Sequence, residues 1–140
     1  MLVDVRSVAE FRELLDGGRS GVHMLLEVMS SVSCKLCQQV RAEFAEVADH
    51  MRVDAPDMVV ARIDAANLKP IDPQAEEEAH YRTAFDLDGK RHGFPSIYYV
   101  RQASAAAAQD ATPVRYTGPL DAVSLADFAR AAHSDSRAEL

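Results

Sequence analysis

The sequence has no tryptophan and only two cysteines among its 140 residues. Two thiols are too few for a disulfide framework, and too few for a four-thiolate zinc site within one chain. A metal at the cysteine pair would need two further ligands, and the nearest histidine in sequence, His50, falls at the far end of the same predicted helix. No metal is expected. No run approaches the roughly 18 consecutive apolar residues of a membrane span, and the N-terminus lacks the basic and apolar blocks of a secretory signal. A soluble domain is the expectation, and a start so close to the first element suits a mature form or an excised domain. Basic residues are also in the minority, 15 against 22 acidic for a net charge of -7. No Lys/Arg run can follow a phosphate backbone, which argues against nucleic acid.

What is present suffices for one modest core: 48% of residues are apolar, in a length usual for one domain. A strand is expected at Val3–Val5. Ser7 and Glu10 then form a capping-box pattern, and Val8, Phe11, Leu14 and Leu15 mark a helical face that ends at Gly17 and Gly18. His23–Met29 is apolar at nearly every position, as a strand covered on both faces would be. Val40, Phe44, Val47 and Met51 define a helix over Cys37–Met51, and a strand follows at Met58–Ile63 with Asp64 closing it. Asp72 and Pro73 launch a helix to about Phe85, with Glu76, Glu77 and Glu78 near its positive end as a solvated face. Ser96–Val100 and Val114–Thr117 form a hairpin around a long loop, about 102–112. Ser124 caps a last helix with Leu125, Phe128 and Ala132 buried, and the tail 134–140 frays. The domain is thus read as 1–140 with a core of about 3–133. Strands alternating with helices favour an α/β architecture with a mixed sheet flanked by helices. The aromatic residues Phe11, Phe44, Tyr98, Tyr99 and Phe128 recur at strand and helix spacing and read as core.

In Cys34-Lys35-Leu36-Cys37 the two intervening residues let one helical turn bring both sulfurs within disulfide reach. Cys34, at the helix N-terminus, is the candidate nucleophile: unpaired N–H groups, the helix dipole and the cation of Lys35 favour its thiolate and lower its pKa. Cys37, one turn in, is expected to be buried and to resolve a mixed disulfide. Taken alone, the spacing also fits half a metal site or two incidental core cysteines. A second motif is Gly93-Phe94-Pro95-Ser96, where proline opens an apolar strand, a position at which it has no ladder donor to lose. The bond before Pro95 is either an ordinary trans turn or an uncommon cis one.

The ordered set of Cys-x-x-Cys at a helix start, Ile63-Asp64 at a strand end, Gly-Phe-Pro-Ser before a strand, and Tyr116-Thr117-Gly118-Pro119 before a Leu125/Phe128 helix resembles the thioredoxin superfamily. Within it, the sequence looks most like protein disulfide isomerase domains. The resemblance implies the thioredoxin fold, a cis Pro95 against the cysteine pair, and backbone beside Phe94 that takes a substrate chain as a short β-pairing. Lys35 and Leu36 join Phe94 and Pro95 as expected substrate-facing residues. It also implies a buried glutamate with a basic partner on the next strand, which Glu27 and Arg62 resemble. Such a carboxylate takes the resolving thiol's proton, and the cation tunes it. Glu27 lies one residue farther from Cys34 than is usual in the family, so an insertion within Ser30–Ser33 is assumed; otherwise Glu27 marks a strand end facing solvent.

The departures are specific. Ser33 stands where the family has tryptophan, Lys35 and Leu36 replace the usual dipeptides between the cysteines, and Leu120 stands where isomerase domains carry arginine. The expected function is a thiol-disulfide oxidoreductase acting on protein thiols and disulfides, needing no cofactor beyond the Cys34–Cys37 disulfide. The alternative is a thioredoxin-like binding module, or a subunit of a larger protein or assembly, with a vestigial pair. A glutathione-dependent or cluster-carrying glutaredoxin-like role is a third. The isomerase resemblance favours the endoplasmic reticulum lumen, and the final Arg137-Ala138-Glu139-Leu140 weakly matches a retention signal.

Overall fold

A computed structural model describes residues 2–16, 22–32, 34–68, 76–102 and 112–138. The elements are β1 (Leu2–Val5), α1 (Val8–Asp16), β2 (Val22–Met29), α2 (Lys35–Asp54), β3 (Met58–Asp64), a 3-10 turn at Ala65–Asn67, α3 (Glu76–Ala84), β4 (Ser96–Gln102), β5 (Thr112–Arg115) and α4 (Ala122–Ala138). The strands form one mixed sheet in the order β1-β3-β2-β4-β5. β1, β3 and β2 are parallel, while β4 runs antiparallel to both β2 and β5.

Strict alternation in β2 divides the core. Met24, Leu26 and Val28 pack with Phe11, Leu15, Tyr81 and Phe85 on the α1/α3 face. Leu25 packs with Val40, Phe44, Val47, Met51 and Leu125 on the α2/α4 face. Both faces are covered, so even the polar residues of β2, His23 and Glu27, are buried on the α2/α4 side. Phe11 meets Tyr81 and Phe85 edge-on at centroid distances of 5.4 and 4.9 Å, a favoured aromatic geometry.

Three boundaries differ from expectation. The hairpin strands are offset: Gln102 and Thr112 are strand residues, and β5 ends at Arg115 rather than Thr117. Tyr116 still donates its N–H to Ile97 O at 2.8 Å. Pro113, opposite Val100, is tolerated because β5 is an edge strand. Second, Asp121 rather than Ser124 caps α4: its carboxylate accepts from Ser124 N at 2.8 Å and Ser124 Oγ at 2.9 Å. Third, α4 continues through Ala138, so the tail expected to fray is helical over most of its length. The start of α3 at Asp72 and Pro73, the glycines after α1, residues 103–111 and Glu139-Leu140 lie outside the described residues, as do the side chains of Glu76 to Glu78.

Candidate redox site

β2 delivers the chain to the sheet edge at Met29, and the loop that follows is anchored from below. Asp64, at the end of β3 and beside Met29 in register, accepts from Ser31 N at 3.0 Å and Ala66 N at 3.1 Å, and its second oxygen accepts from Asn67 at 3.0 Å. One carboxylate thereby caps the 3-10 turn and fixes the approach to the cysteines. Sequence reading gave Asp64 only the end of a strand; the Asp-Ala-Ala-Asn pattern was the signal of its capping role.

Cys34 is the N-cap of α2 in extended conformation, and Cys37 N donates to Cys34 Sγ at 3.0 Å. The two are disulfide-bonded, with Cα atoms 5.3 Å apart. Cys34 is half-buried, whereas Cys37 is 1% exposed. The sulfur that an incoming group can reach is therefore Cys34, at the helix end where N–H dipoles stabilise an anion. Lys35 is exposed beside it, and Val32 and Leu36 are exposed apolar side chains at 81% and 46%. Ser33 lies outside the described residues.

β4 brings the second motif to the same edge. Ser96 pairs with Val28, so Phe94 and Pro95 stand at the end of the sheet where the β2-to-α2 loop begins. The Phe94–Pro95 bond is cis, Gly93 has a φ of +74°, and Ser96 Oγ donates to Gly93 O at 2.9 Å. Both Phe94 and Pro95 are half-buried.

Glu27 is fully buried, which removes the solvent-facing alternative. It shares the α2 side of β2 with Leu25, directly opposite Arg62 on β3. Arg62 Nε donates to Glu27 Oε1 at 2.5 Å, Nη2 donates to Arg41 O at 3.3 Å, and the guanidinium carbon lies 5.8 Å from the Phe44 ring centroid. Glu27 Oε2 is buried and has no hydrogen-bond partner among the described residues. Burial raises the Glu27 carboxyl above its ordinary value, and the charge and hydrogen bond of Arg62, with the charge of Arg41, only partly offset this. A cleft of about 380 Å³ lined by Met29, Ser31, Arg41, Arg62 and Asp64, among others, opens next to the pair. Leu120 packs against the α2/α4 core cluster.

No model of a known protein family matches the chain, and no curated protein sequence matches it. Solved structures do. Human ERp44 in its zinc-bound form aligns at 16% identity and a TM-score of 0.66, covering 93% of this chain and 30% of that one. The first thioredoxin domain of mouse protein disulfide-isomerase A4 aligns at 19% identity and a TM-score of 0.63, covering 92% and 73%. Fasciola hepatica thioredoxin aligns at 12% identity and a TM-score of 0.56, covering 91% and 95%. The chain has the thioredoxin fold. At these identities the likeness is one of fold, and the chain spans less than a third of ERp44. Within the thioredoxin fold the described residues bring together Cys34 and Cys37 as a disulfide at the start of α2, Glu27 with Arg62 under that helix, and Phe94-Pro95 at the same sheet edge.

Proposed function

We propose that the chain is a thiol-disulfide oxidoreductase acting on protein cysteines. One observation carries the reading: an accessible Cys34 at a helix N-terminus is disulfide-bonded to a buried Cys37 one turn on. In the reducing direction, the Cys34 thiolate attacks a substrate disulfide, forming a mixed disulfide and releasing one substrate thiolate. Cys37 then loses its proton and attacks Cys34 Sγ. The second substrate thiolate leaves, and the electron pair of the domain's dithiol resides in the substrate dithiol. Oxidation of a substrate is the same sequence reversed. The unpartnered Oε2 of Glu27 supports a role as acceptor of the Cys37 proton, with the adjoining cleft as the path by which the proton reaches solvent. Val32, Leu36, Phe94 and Pro95 would form the face against which a substrate chain lies.

The test is an equilibrium titration of the pair in glutathione buffers, read by the mass shift on thiol alkylation. A reversible two-electron couple between roughly -300 and -120 mV is expected. In Cys37→Ala, a disulfide-bonded substrate should accumulate as a mixed disulfide on the remaining cysteine. A pair that neither opens nor closes across that range leaves a binding module instead. The exposed apolar Val32 and Leu36 are the observation that favours that second reading.

A further inference from the structure

The opposite end of the sheet carries a second constellation, unconnected with the cysteines. His23, the second residue of β2, lies six residues before Met29, which places it about 20 Å along the strand from the cysteine end of the sheet. Asp57 sits in the turn between α2 and β3, and His133 projects from α4. Scattered through the sequence, the three converge: His133 Nε2 is 2.7 Å from Asp57 Oδ1, His23 Nε2 is 4.0 Å from Asp57 Oδ2, and the two imidazole centroids are 4.8 Å apart. One ligand atom from each of the three lies within 4.8 Å of the other two.

We propose that His23, Asp57 and His133 form a binding site for a divalent transition metal of the zinc class. Two imidazoles and one carboxylate are the donor set such borderline ions favour, while magnesium and calcium seek oxygen. Ligand atoms around a tetrahedral ion stand about 3.4 Å apart. One of the spacings here is shorter than that and another longer, so the ion seats by parting Asp57 from His133 and drawing His23 closer. The side chain that must move most easily is Asp57, which is 47% exposed, whereas His23 and His133 are only 4% and 7% exposed. The ion therefore enters from the Asp57 side, and the fourth position stays open to water.

The surroundings suit the role. His23 Nδ1 lies 2.5 Å from Tyr99 OH, and Tyr99 is itself buried. A hydrogen bond from the Tyr99 hydroxyl to one ring nitrogen leaves the other, Nε2, on the Asp57 side, and such an outer-sphere partner orients a metal-bound histidine. The neighbouring cation on α4, Arg130, is engaged by Asp54 and Asp127 at 2.8 and 2.9 Å. A bound ion would join the start of β2, the α2–β3 turn and the end of α4, three segments otherwise remote in sequence.

The experiment uses the full chain with the Cys34–Cys37 disulfide intact, so that no thiolate competes. Zinc chloride is titrated calorimetrically, and cobalt(II) is added in parallel to read the visible absorption of a four-coordinate His/carboxylate site. One ion per chain is expected, with affinity falling at least tenfold in Asp57→Asn and stoichiometric binding lost in His133→Gln. Asp57 is half-exposed, so Asp57→Asn retains the fold and keeps the test decisive if a histidine variant does not. A Cys34→Ser/Cys37→Ser double variant should bind as the parent does. Absence of saturable binding would overturn the proposal. So would binding unchanged in Asp57→Asn, which would put the ion at surface histidines, or binding lost in the cysteine double variant. Because the protein is tested oxidised, none of these outcomes depends on whether the pair is an active redox centre.

Discussion

Replacing Arg62 by methionine isolates what the buried ion pair does. Methionine retains an unbranched apolar stem to lie near Phe44, but removes the partner of Glu27 Oε1 and the bond to Arg41 O. Removing one member of a buried pair typically costs about 3–5 kcal/mol because the remaining charge is uncompensated. Glu27 can escape that cost by holding a proton, so the penalty must depend on pH. The sign follows from linkage. The Glu27 carboxyl is already raised from its ordinary value of 4.5 by burial, so the folded chain holds the proton more tightly than the unfolded one. Stability therefore falls as pH rises from the ordinary value to the folded-state value, by at most about 1.4 kcal/mol per pH unit for one proton. Loss of Arg62 raises the folded-state value further and widens that window. The Arg62→Met penalty should be small near about pH 5 and approach its full size near about pH 8. Urea unfolding followed by far-ultraviolet circular dichroism measures it in a chain without tryptophan. In Glu27→Gln/Arg62→Met the penalty should lose this pH dependence. Equal Arg62→Met penalties at the two pH values would refute the reasoning and place the cost in lost packing on Phe44.

Substitutions at Gly89, Gly93 and Asp64 probe the scaffold around the cysteine pair. Gly89 has a φ of +71°, and a Cβ there would meet the Phe94 ring at 2.7 Å; Gly93 has a φ of +74° with nothing among the described residues within 4 Å of its Cβ position. Gly89→Ala should cost about 2–4 kcal/mol from backbone strain and overpacking together, and Gly93→Ala about 1–2 kcal/mol from strain alone; equal costs in denaturant unfolding would mean that the ring simply moves aside. Asp64→Ala should cost about 1–2 kcal/mol through the lost cap and the unpaired Ser31 N–H, and should speed hydrogen exchange at Ser31. Asp64→Asn should restore most of the stability, and failure to do so would implicate the charge rather than the cap.

The cysteine pair was legible because it is local. A helix start, two cysteines and an apolar face all lie within one stretch of sequence. The Gly93-Phe94-Pro95-Ser96 turn was legible for the same reason, though the cis bond rested on resemblance. Glu27 and Arg62 were found through resemblance and not through pattern, since strand register is a tertiary property that no single strand encodes. The offset of β5 was missed because Pro113 lowers strand propensity, and only its place at the sheet edge makes it acceptable. The helical continuation at Ser134-Asp135-Ser136 was missed because these polar residues carry no apolar period. Ser124 and Asp121, three residues apart, both carry cap chemistry, and only the folded geometry selects Asp121. His23, Asp57 and His133 were invisible as a group: each is ordinary in its own segment, and only the packing of α4 against the sheet brings them together.

The disulfide between Cys34 and Cys37 spans a sequence separation of 3, and so small a ring constrains the unfolded chain very little. Chain-entropy reasoning assigns it about 2 kcal/mol, compared with about 4.7 kcal/mol for a bridge closing a hundred-residue loop. Typical domain stabilities are about 5–15 kcal/mol. Opening this bond thus withdraws only a modest part of what keeps the chain folded, and the sheet beneath does not rely on it. On the proposed function, a bridge that contributes so little to folding is one the chain can open and close while the sheet and its two cores stay in place.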